Sequence, residues 1–219
     1  MNIVAVLTTD IVHSTKLSTL DYNSIITTLK TYLDREIEGK DASYEIYRGD
    51  SFQIYFQDVQ QAMRASMALR LYFRSGIDCP SIELTQSLAL GEYEQLSDTP
   101  GTSVGQAFIL SGRALDKAQR GEFVFNICDG LPSLDISLST RFLNHLLAGL
   151  TEKQSGVLFY YVALNGPEQK VIAELLDMTR QNVATHLKRG GADLIKAYIE
   201  TYEALISDPQ SSTIIQRTR

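Results

Sequence analysis

Two aspartates stand where a chain could aim carboxylates at a cation. Asp10 follows the apolar run Asn2-Ile3-Val4-Ala5-Val6-Leu7, and Asp50 sits between two aromatic-rich runs. If those elements are neighbours in one sheet, both carboxylates point into one site. Close carboxylates repel, and a divalent cation relieves the repulsion; Mg²⁺ takes one or two carboxylates together with phosphate oxygens. The segment Ile11-Val12-His13-Ser14-Thr15 leads away from the first run, and backbone N–H groups in such a segment can hold phosphate. The plainer alternative is that Asp10 caps a turn and Asp50 makes a hairpin, both ordinary roles for aspartate. Taken alone, these residues favour the plainer alternative.

The elements that must position them follow from periodicity. Residues 2–7 are short, apolar and rich in β-branched side chains, which predicts a buried central strand ending at Thr8-Thr9-Asp10. Ile25, Ile26, Leu29, Leu33 and Ile37 have helical spacing within 22–37. Runs 44–47 and 52–56 flank Arg48-Gly49-Asp50-Ser51, a hairpin signal with an aspartate in the turn. A helix over 62–73, a strand over 82–90, a polar arm or loop over 91–105, a helix over 106–119 and a strand over 123–127 complete the order β-α-β-β-α-β-α-β. Such alternation implies a sheet with helices packed on it.

Composition narrows the class. The chain has 219 residues, 44% of them hydrophobic and 21% charged; that is enough apolar material for a core and excludes a mostly disordered chain. No apolar run approaches the roughly 18 residues that a spanning helix needs. Asp10 and the lack of a basic leader argue against a signal peptide. Cys79 and Cys128 are too few for a disulfide framework or a zinc site, so a reduced, cytoplasmic protein is expected. The net charge of −6 argues against a non-specific nucleic-acid binder. All of it falls on residues 1–148; residues 149–219 carry eight basic and eight acidic residues. A neutral segment can bind DNA if its basic residues share a face.

The segment 129–148 contains Gly130, Pro132 and several serines before an apolar stretch, and its Gly/Pro/Ser part predicts a domain boundary. Everything after it reads as helix. Thr151-Glu152-Lys153-Gln154 fits a capping box, and Pro167 suits the first position of a second helix, whose apolar face is Ile172, Leu175 and Leu176. Asp177-Met178-Thr179 reads as a turn, with Thr179 capping a third helix. Gly190-Gly191 interrupts it, and a fourth helix runs over 192–206. Two short helices joined by a tight turn match the helix-turn-helix plan. Ala173 permits close approach, and Met178 and Val183 hold the angle. Arg180, Gln181, Ala184, Thr185 and Lys188 are the expected exposed positions: Arg and Gln suit base edges, Lys and Thr suit phosphates. Thr179, Arg180, Gln181, Thr185, Lys188 and Arg189 are therefore the candidate DNA contacts. The competing interpretation is a four-helix bundle used for dimerisation. His186 has no second ligand at metal spacing, which assigns it to packing or a phosphate contact.

Three resemblances add to this. Leu150-Thr151-Glu152-Lys153-Gln154, followed by 171–187, resembles the helix-turn-helix of LuxR-type regulators and of sigma-factor region four; Asp177 stands where a turn glycine is frequent, and Gly190-Gly191 where helix usually continues. Thr9-Asp10-Ile11-Val12-His13-Ser14-Thr15 resembles the metal-binding motif that opens class III adenylate/guanylate cyclase domains. Tyr47-Arg48-Gly49-Asp50-Ser51-Phe52 resembles their second metal motif, and 87–91 with 105–113 the strand and helix that complete the site. This likeness covers about residues 1–128, and the whole chain also resembles SatD-type proteins.

The cyclase resemblance implies Mg²⁺ held by Asp10, Ile11 and Asp50. It implies a nucleoside triphosphate held by Val12, His13, Ser14 and Thr15. Arg113 matches the transition-state arginine, whereas Ile109 stands at the asparagine position and Ile46 at the base-reading position. It implies a homodimer, since cyclase sites form between two subunits. The expected fold is α+β: a ferredoxin-like, cyclase-type sheet with helices (1–130), a linker (131–148), an all-α helix-turn-helix domain (149–207) and a flexible tail (208–219). The expected function is a cytoplasmic DNA-binding transcriptional regulator with a degenerate cyclase-like domain that dimerises and senses a nucleotide. The alternative is an active nucleotidyl cyclase with a regulatory helical tail.

Overall fold

The structure, a computed structural model, describes residues 2–37, 41–47, 49–128 and 137–207. The expected tail lies outside them. The first part of the chain forms β1 (Ile3–Ile11), α1 (Thr19–Glu36), β2 (Ala42–Tyr47), β3 (Ser51–Phe56), α2 (Ala62–Ser75), β4 (Leu84–Gln95), β5 (Val104–Gly105), α3 (Gln106–Leu115) and β6 (Phe123–Ile127). The strands lie in the order β2-β3-β1-β4, each antiparallel to its neighbour; β6 runs parallel to β4, and β5 pairs with the far end of β4. A β-α-β-β-α-β chain with this strand order is the ferredoxin-like arrangement, as expected. Five helices follow: α4 (Ser137–Ala148), α5 (Glu152–Ala163), α6 (Gln169–Leu175), α7 (Arg180–Arg189) and α8 (Ala192–Ser207).

β1 is central, so both of its faces are covered, and the period-2 alternation of a strand sorts its side chains. Ala5, Leu7 and Ile11 join the main core beneath α1 and α2. Val4 and Val6 join a smaller cluster with Tyr55, Ala107 and Phe108 beneath α3. α1 starts at Ser18, whose hydroxyl accepts from the Asp21 N–H, and it buries Ile25, Leu29, Tyr32 and Leu33. α2 is buried almost all round, from Met63 and Met67 to Leu71 and Phe73. It is a shared wall between the sheet on one side and α5 on the other.

The main core is continuous from the sheet through α2 into Val157, Leu158, Val162, Ile172, Val183, Leu187, Ile195, Ile199 and Tyr202. Polar ties follow the same seam. Arg74 donates to the Ala148 and Leu150 carbonyls at the end of α4 (3.1 and 2.9 Å) and pairs with Glu83. Arg64 pairs with Glu203 at 2.7 Å, and the Tyr202 hydroxyl donates to the Val59 carbonyl at 2.8 Å. Arg70, also buried, donates to the carbonyls of Leu84 and Gly121 and to the Gln86 side chain, tying α2 to the strands.

Several expected boundaries change. The segment expected as a loop over 91–105 is strand as far as Gln95; the chain crosses Gly91 without breaking because Cys128 and Ala107 press against that position and leave no room for a side chain. The helix expected over 106–119 ends at Leu115. The latter half of the expected linker 131–148 is α4; residues 131–136 lie outside the described part. α4 buries Thr140, Leu143 and Leu147, and Asn144 takes hold of the sheet edge. Its Oδ1 accepts from the Phe123 N–H and its Nδ2 donates to the Phe123 carbonyl, both at 2.8 Å. A neighbouring strand would make the same pair of bonds.

Asn144→Ala strands both polar groups of Phe123 at the edge of the sheet. It is expected to lower stability by about 1–3 kcal/mol. Because the core runs through both halves, urea denaturation followed by far-UV circular dichroism and by tyrosine fluorescence should give coincident single transitions in the wild type. Two separated transitions would show that the halves fold independently.

Candidate functional site

The geometry at the end of β1 starts from its pairing with β3. Asp10 lies opposite Ser51, and the Ile11 N–H donates to the Asp50 carbonyl at 2.9 Å. That bond carries the ladder one step past the hairpin and brings Asp50 alongside Asp10. Each carboxylate is held by a serine: Ser51 Oγ donates to Asp10 Oδ1 at 2.8 Å, and Ser14 Oγ donates to Asp50 Oδ2 at 2.7 Å. Both aspartates are half-buried. The turn that presents Asp50 needs Gly49, which has φ +85°, and a Cβ there would run into the Tyr22 hydroxyl of α1. Ser51 was not among the expected residues; only the cross-strand register reveals it.

Of the expected metal and phosphate residues, Ile11 has a buried side chain and takes part through its backbone. Val12 is already committed, since its N–H donates to the Glu83 carbonyl at 3.0 Å. His13 is exposed and left-handed, with φ 59°, and opens a short 3₁₀ turn over Ser14–Lys16. The amides of His13, Ser14 and Thr15 donate to no described acceptor, so three of the four expected amides are available beside the carboxylates. Among the described residues no group of three or more His, Cys, Asp or Glu side chains could hold a metal. Two carboxylates with oxygen-only chemistry fit a hard cation that completes its shell with water and phosphate. The cysteines do not compete: both are buried and outside any disulfide, and burial pushes the Cys79 thiol up to about 11.

The sheet face that carries Asp10 is polar around it. Gln53 Nε2 donates to Thr8 Oγ1 at 2.8 Å, Thr8 pairs with Ser111 Oγ at 2.6 Å, and Ser111 Oγ donates to the Ser87 carbonyl at 2.8 Å. α3 covers this face only in part. Its outer side exposes Arg113 and Ile109, the latter by 52%. Ile46, expected at the base-reading position, packs toward the main core. The alternation of β2 instead puts Glu45, opposite Gln53, on the site face. The Glu45 carboxylate accepts from the Gly101 N–H at 2.9 Å and from the Tyr47 hydroxyl at 3.3 Å. Burial, with Glu45 beside it, pushes the Tyr47 phenol well above its usual range.

The helical candidate is built as follows. Thr151 and Gln154 form the expected capping box of α5. Pro167 lies before the Glu168 N-cap of α6 rather than at the first helical position. α6 and α7 are joined by 176–179, and Asp177 adopts φ 49°, the left-handed conformation a glycine would favour and aspartate tolerates. Ile172 and Ala173 of α6 and Val183 and Leu187 of α7 are buried. Arg180, Gln181, Thr185, Lys188 and Arg189 are exposed, and His186 and Ala184 are half-buried. The Thr179 hydroxyl accepts from the Asn182 N–H at 3.2 Å as a cap, so this oxygen has a structural task. Gly191, at φ +68°, turns the corner into α8 where Leu146 leaves no space for a Cβ.

No family model matches the chain, and no curated protein matches it. Solved structures do. The guanylyl cyclase Cya2 is similar with a TM-score of 0.45 and 16% identity, over 56% of this chain and 74% of that one. The monomeric guanylyl cyclase domain of the RhoGC fusion protein from the aquatic fungus Blastocladiella emersonii gives 0.45 and 17%, over 57% and 80%. The catalytic core of a rhodopsin-guanylyl cyclase with converted specificity, in complex with ATPαS, gives 0.46 and 15%, over 57% and 76%. No helix among the described residues is long and apolar enough to cross a membrane.

Gly49→Ala tests the turn. The substitution combines a left-handed backbone with a collision against Tyr22, and it is expected to cost about 1–3 kcal/mol in urea denaturation. Adding Tyr22→Phe removes the hydroxyl and should recover only part of the loss, because the backbone strain remains.

Proposed function

We propose that this chain binds a nucleoside triphosphate as its divalent-cation complex at the Asp10–Asp50 end of the sheet, turns it over slowly or not at all, and reports its occupancy through a DNA contact made by α7. The observation that carries the first part is that Asp10 and Asp50 stand at neighbouring positions of two paired strand ends, each carboxylate held by a serine hydroxyl. A cation shared between them and a triphosphate would neutralise charge on both sides. The amides of His13, Ser14 and Thr15 lie next in the chain and offer donors to phosphate oxygens. Glu45 offers an acceptor for base N–H groups on the same sheet face.

Weak turnover follows from α3. Charge that develops on a polyphosphate during cyclisation needs donors aimed at it. The outer side of α3 offers Arg113 as one donor, while Ile109 offers none. A cyclase reading is favoured by Glu45, since a carboxylate on the site face restores the base recognition that Ile46 lacks. A second copy of the chain, contributing its own α3, is the natural source of further donors.

The DNA contact rests on α7. Arg180, Lys188 and Arg189 are exposed, the helix has no acidic residue, and its opposite side is buried through Val183 and Leu187. The axial neighbour Gln181 supplies a side chain able to read a base edge.

Isothermal titration of the full chain with ATP and GTP, each with Mg²⁺ or Mn²⁺, should give saturable, cation-dependent heat. Asp10→Asn and Asp50→Asn should each weaken it at least about tenfold, the scale of one charged contact. No heat with either nucleotide and either cation would end the binding proposal. Cyclic nucleotide formed by the wild type at an ordinary enzymatic rate and abolished in both variants would replace it with the cyclase reading. Fluorescence anisotropy with duplex DNA from upstream of the gene tests α7 separately. Lys188→Ala should weaken binding uniformly and flatten its salt dependence, whereas Arg180→Ala should also relax sequence preference.

A further inference from the structure

Residues 96–103, the strap between β4 and β5, lie over the sheet face that carries Asp10. Ser43, Glu45 and Tyr47 of β2 stand opposite Tyr55, Gln53 and Ser51 of β3, and these stand opposite Val6, Thr8 and Asp10 of β1. All nine side chains therefore share one face. α3 roofs its β1 side: Ala107 and Phe108 cluster with Val4 and Val6, and Ser111 meets Thr8. The strap roofs its β2 and β3 side. The Tyr55 hydroxyl donates to the Ser97 carbonyl at 2.8 Å, Ser43 Oγ donates to the Asp98 carbonyl at 2.5 Å, and the Gly101 N–H donates to Glu45 Oε2 at 2.9 Å. Leu96 packs on the cluster around Tyr55, and Pro100 is buried.

The strap is firm in itself and loosely tied to the strands beneath it. The Ser97 N–H donates to Ser103 Oγ at 3.0 Å, Ser103 Oγ to the Thr99 carbonyl at 2.9 Å, and Ser97 Oγ to the Thr102 carbonyl at 3.0 Å. A 3₁₀ turn over Pro100–Thr102 completes it. Among the described residues no backbone hydrogen bond joins it to β2 or β3, so it can lift without opening the sheet. Its tightest approach is to Glu45. A Cβ added to Gly101 would stand 2.6 Å from Glu45 Oε2 and 2.9 Å from the Tyr47 hydroxyl, too close for either. Gly101 is not among the residues with positive φ, so these two side chains alone demand glycine there. The strap thus takes up one oxygen of this carboxylate and the space over it.

We propose that residues 96–103 are an autoinhibitory strap that closes the base end of the nucleotide site, and that a nucleotide must lift it to bind. The inference rests on the nucleotide reading above. Base N–H groups and the Gly101 N–H compete for Glu45, whereas neither roof bonds to Asp10, Asp50 or Ser51, so the cation and phosphate end stays accessible. A site that is closed most of the time binds more weakly in proportion to its closed fraction, and loosening the strap therefore tightens binding.

Isothermal titration of the full chain with ATP and GTP, each with Mg²⁺, compares the wild type with Gly101→Ala and with Ser43→Ala/Tyr55→Phe, which removes two of the strap's bonds and leaves Gly101 and Glu45 intact. Each variant should bind the nucleotide at least about fivefold more tightly, the ordinary scale of one hydrogen bond. Inorganic tripolyphosphate with Mg²⁺ has no base and should bind all three proteins alike. Hydrogen exchange read by mass spectrometry should be faster at 96–103 in both variants without ligand, and in the wild type once nucleotide is added. Nucleotide binding that is equal or weaker in both variants, or exchange at 96–103 that slows on nucleotide addition, overturns the strap and leaves the nucleotide reading standing. No nucleotide binding by any of the three proteins overturns both.

Discussion

The parity of β1 organises the molecule. A strand between two others has no free edge, so its side chains can go only up or down. Its odd-numbered residues, Ala5, Leu7 and Ile11, enter the core under α1 and α2, and its even-numbered residues face α3. On the α3 side the sequence changes along the strand from Val4 and Val6 to Thr8 and Asp10. The apolar end is roofed by Ala107 and Phe108. The polar end reaches Ser111 and then passes beyond the roof. Asp10 is therefore pointed by the same alternation that builds the core, and a one-residue slip in the pairing would bury it under α1.

α2 sets the second constraint. This helix is buried on nearly every side, and the sheet covers only one of them. α5 supplies the other cover, and the guanidinium groups of Arg70 and Arg74 bind opposite partners: Arg70 reaches the strands and Arg74 the end of α4. The helical half is thus joined to the sheet half by burial that neither half can complete alone. This explains why a boundary inferred from glycine, proline and serine content lies beside a continuous core.

What the sequence disclosed was local. The hairpin around Asp50, the capping box at Thr151 and Gln154 and the cap at Thr179 depend on neighbours within a few residues, and each is present; the ferredoxin-like order, which pairs Ala5 with Phe56 and Leu90, was implied by the resemblance to cyclase domains and not by local spacing. The misread elements depended on contacts distant in the chain. Gly91 read as the start of a loop, but it is the close approach of Cys128 that makes glycine necessary there within a strand. Ile46 read as the residue facing the site because motif spacing does not give strand parity; the pairing of β2 with β3 assigns that face to Glu45. Ser51 could be found only by knowing that it lies across from Asp10. Asp177 is the converse: it departs from a residue pattern but keeps the backbone geometry that the pattern serves.

The grip of Asn144 on Phe123 has a consequence for assembly. A sheet that ends in unpaired N–H and C=O groups can template another chain and grow by edge-to-edge addition. At β6 the first such pair is taken by a side-chain amide from α4, which fills the position an incoming strand would use to begin zippering. The helix that carries this amide also leans on β6, so the flank is guarded by bulk as well as by bonding. This border of the sheet is closed to fibrous extension without a further strand being spent on it.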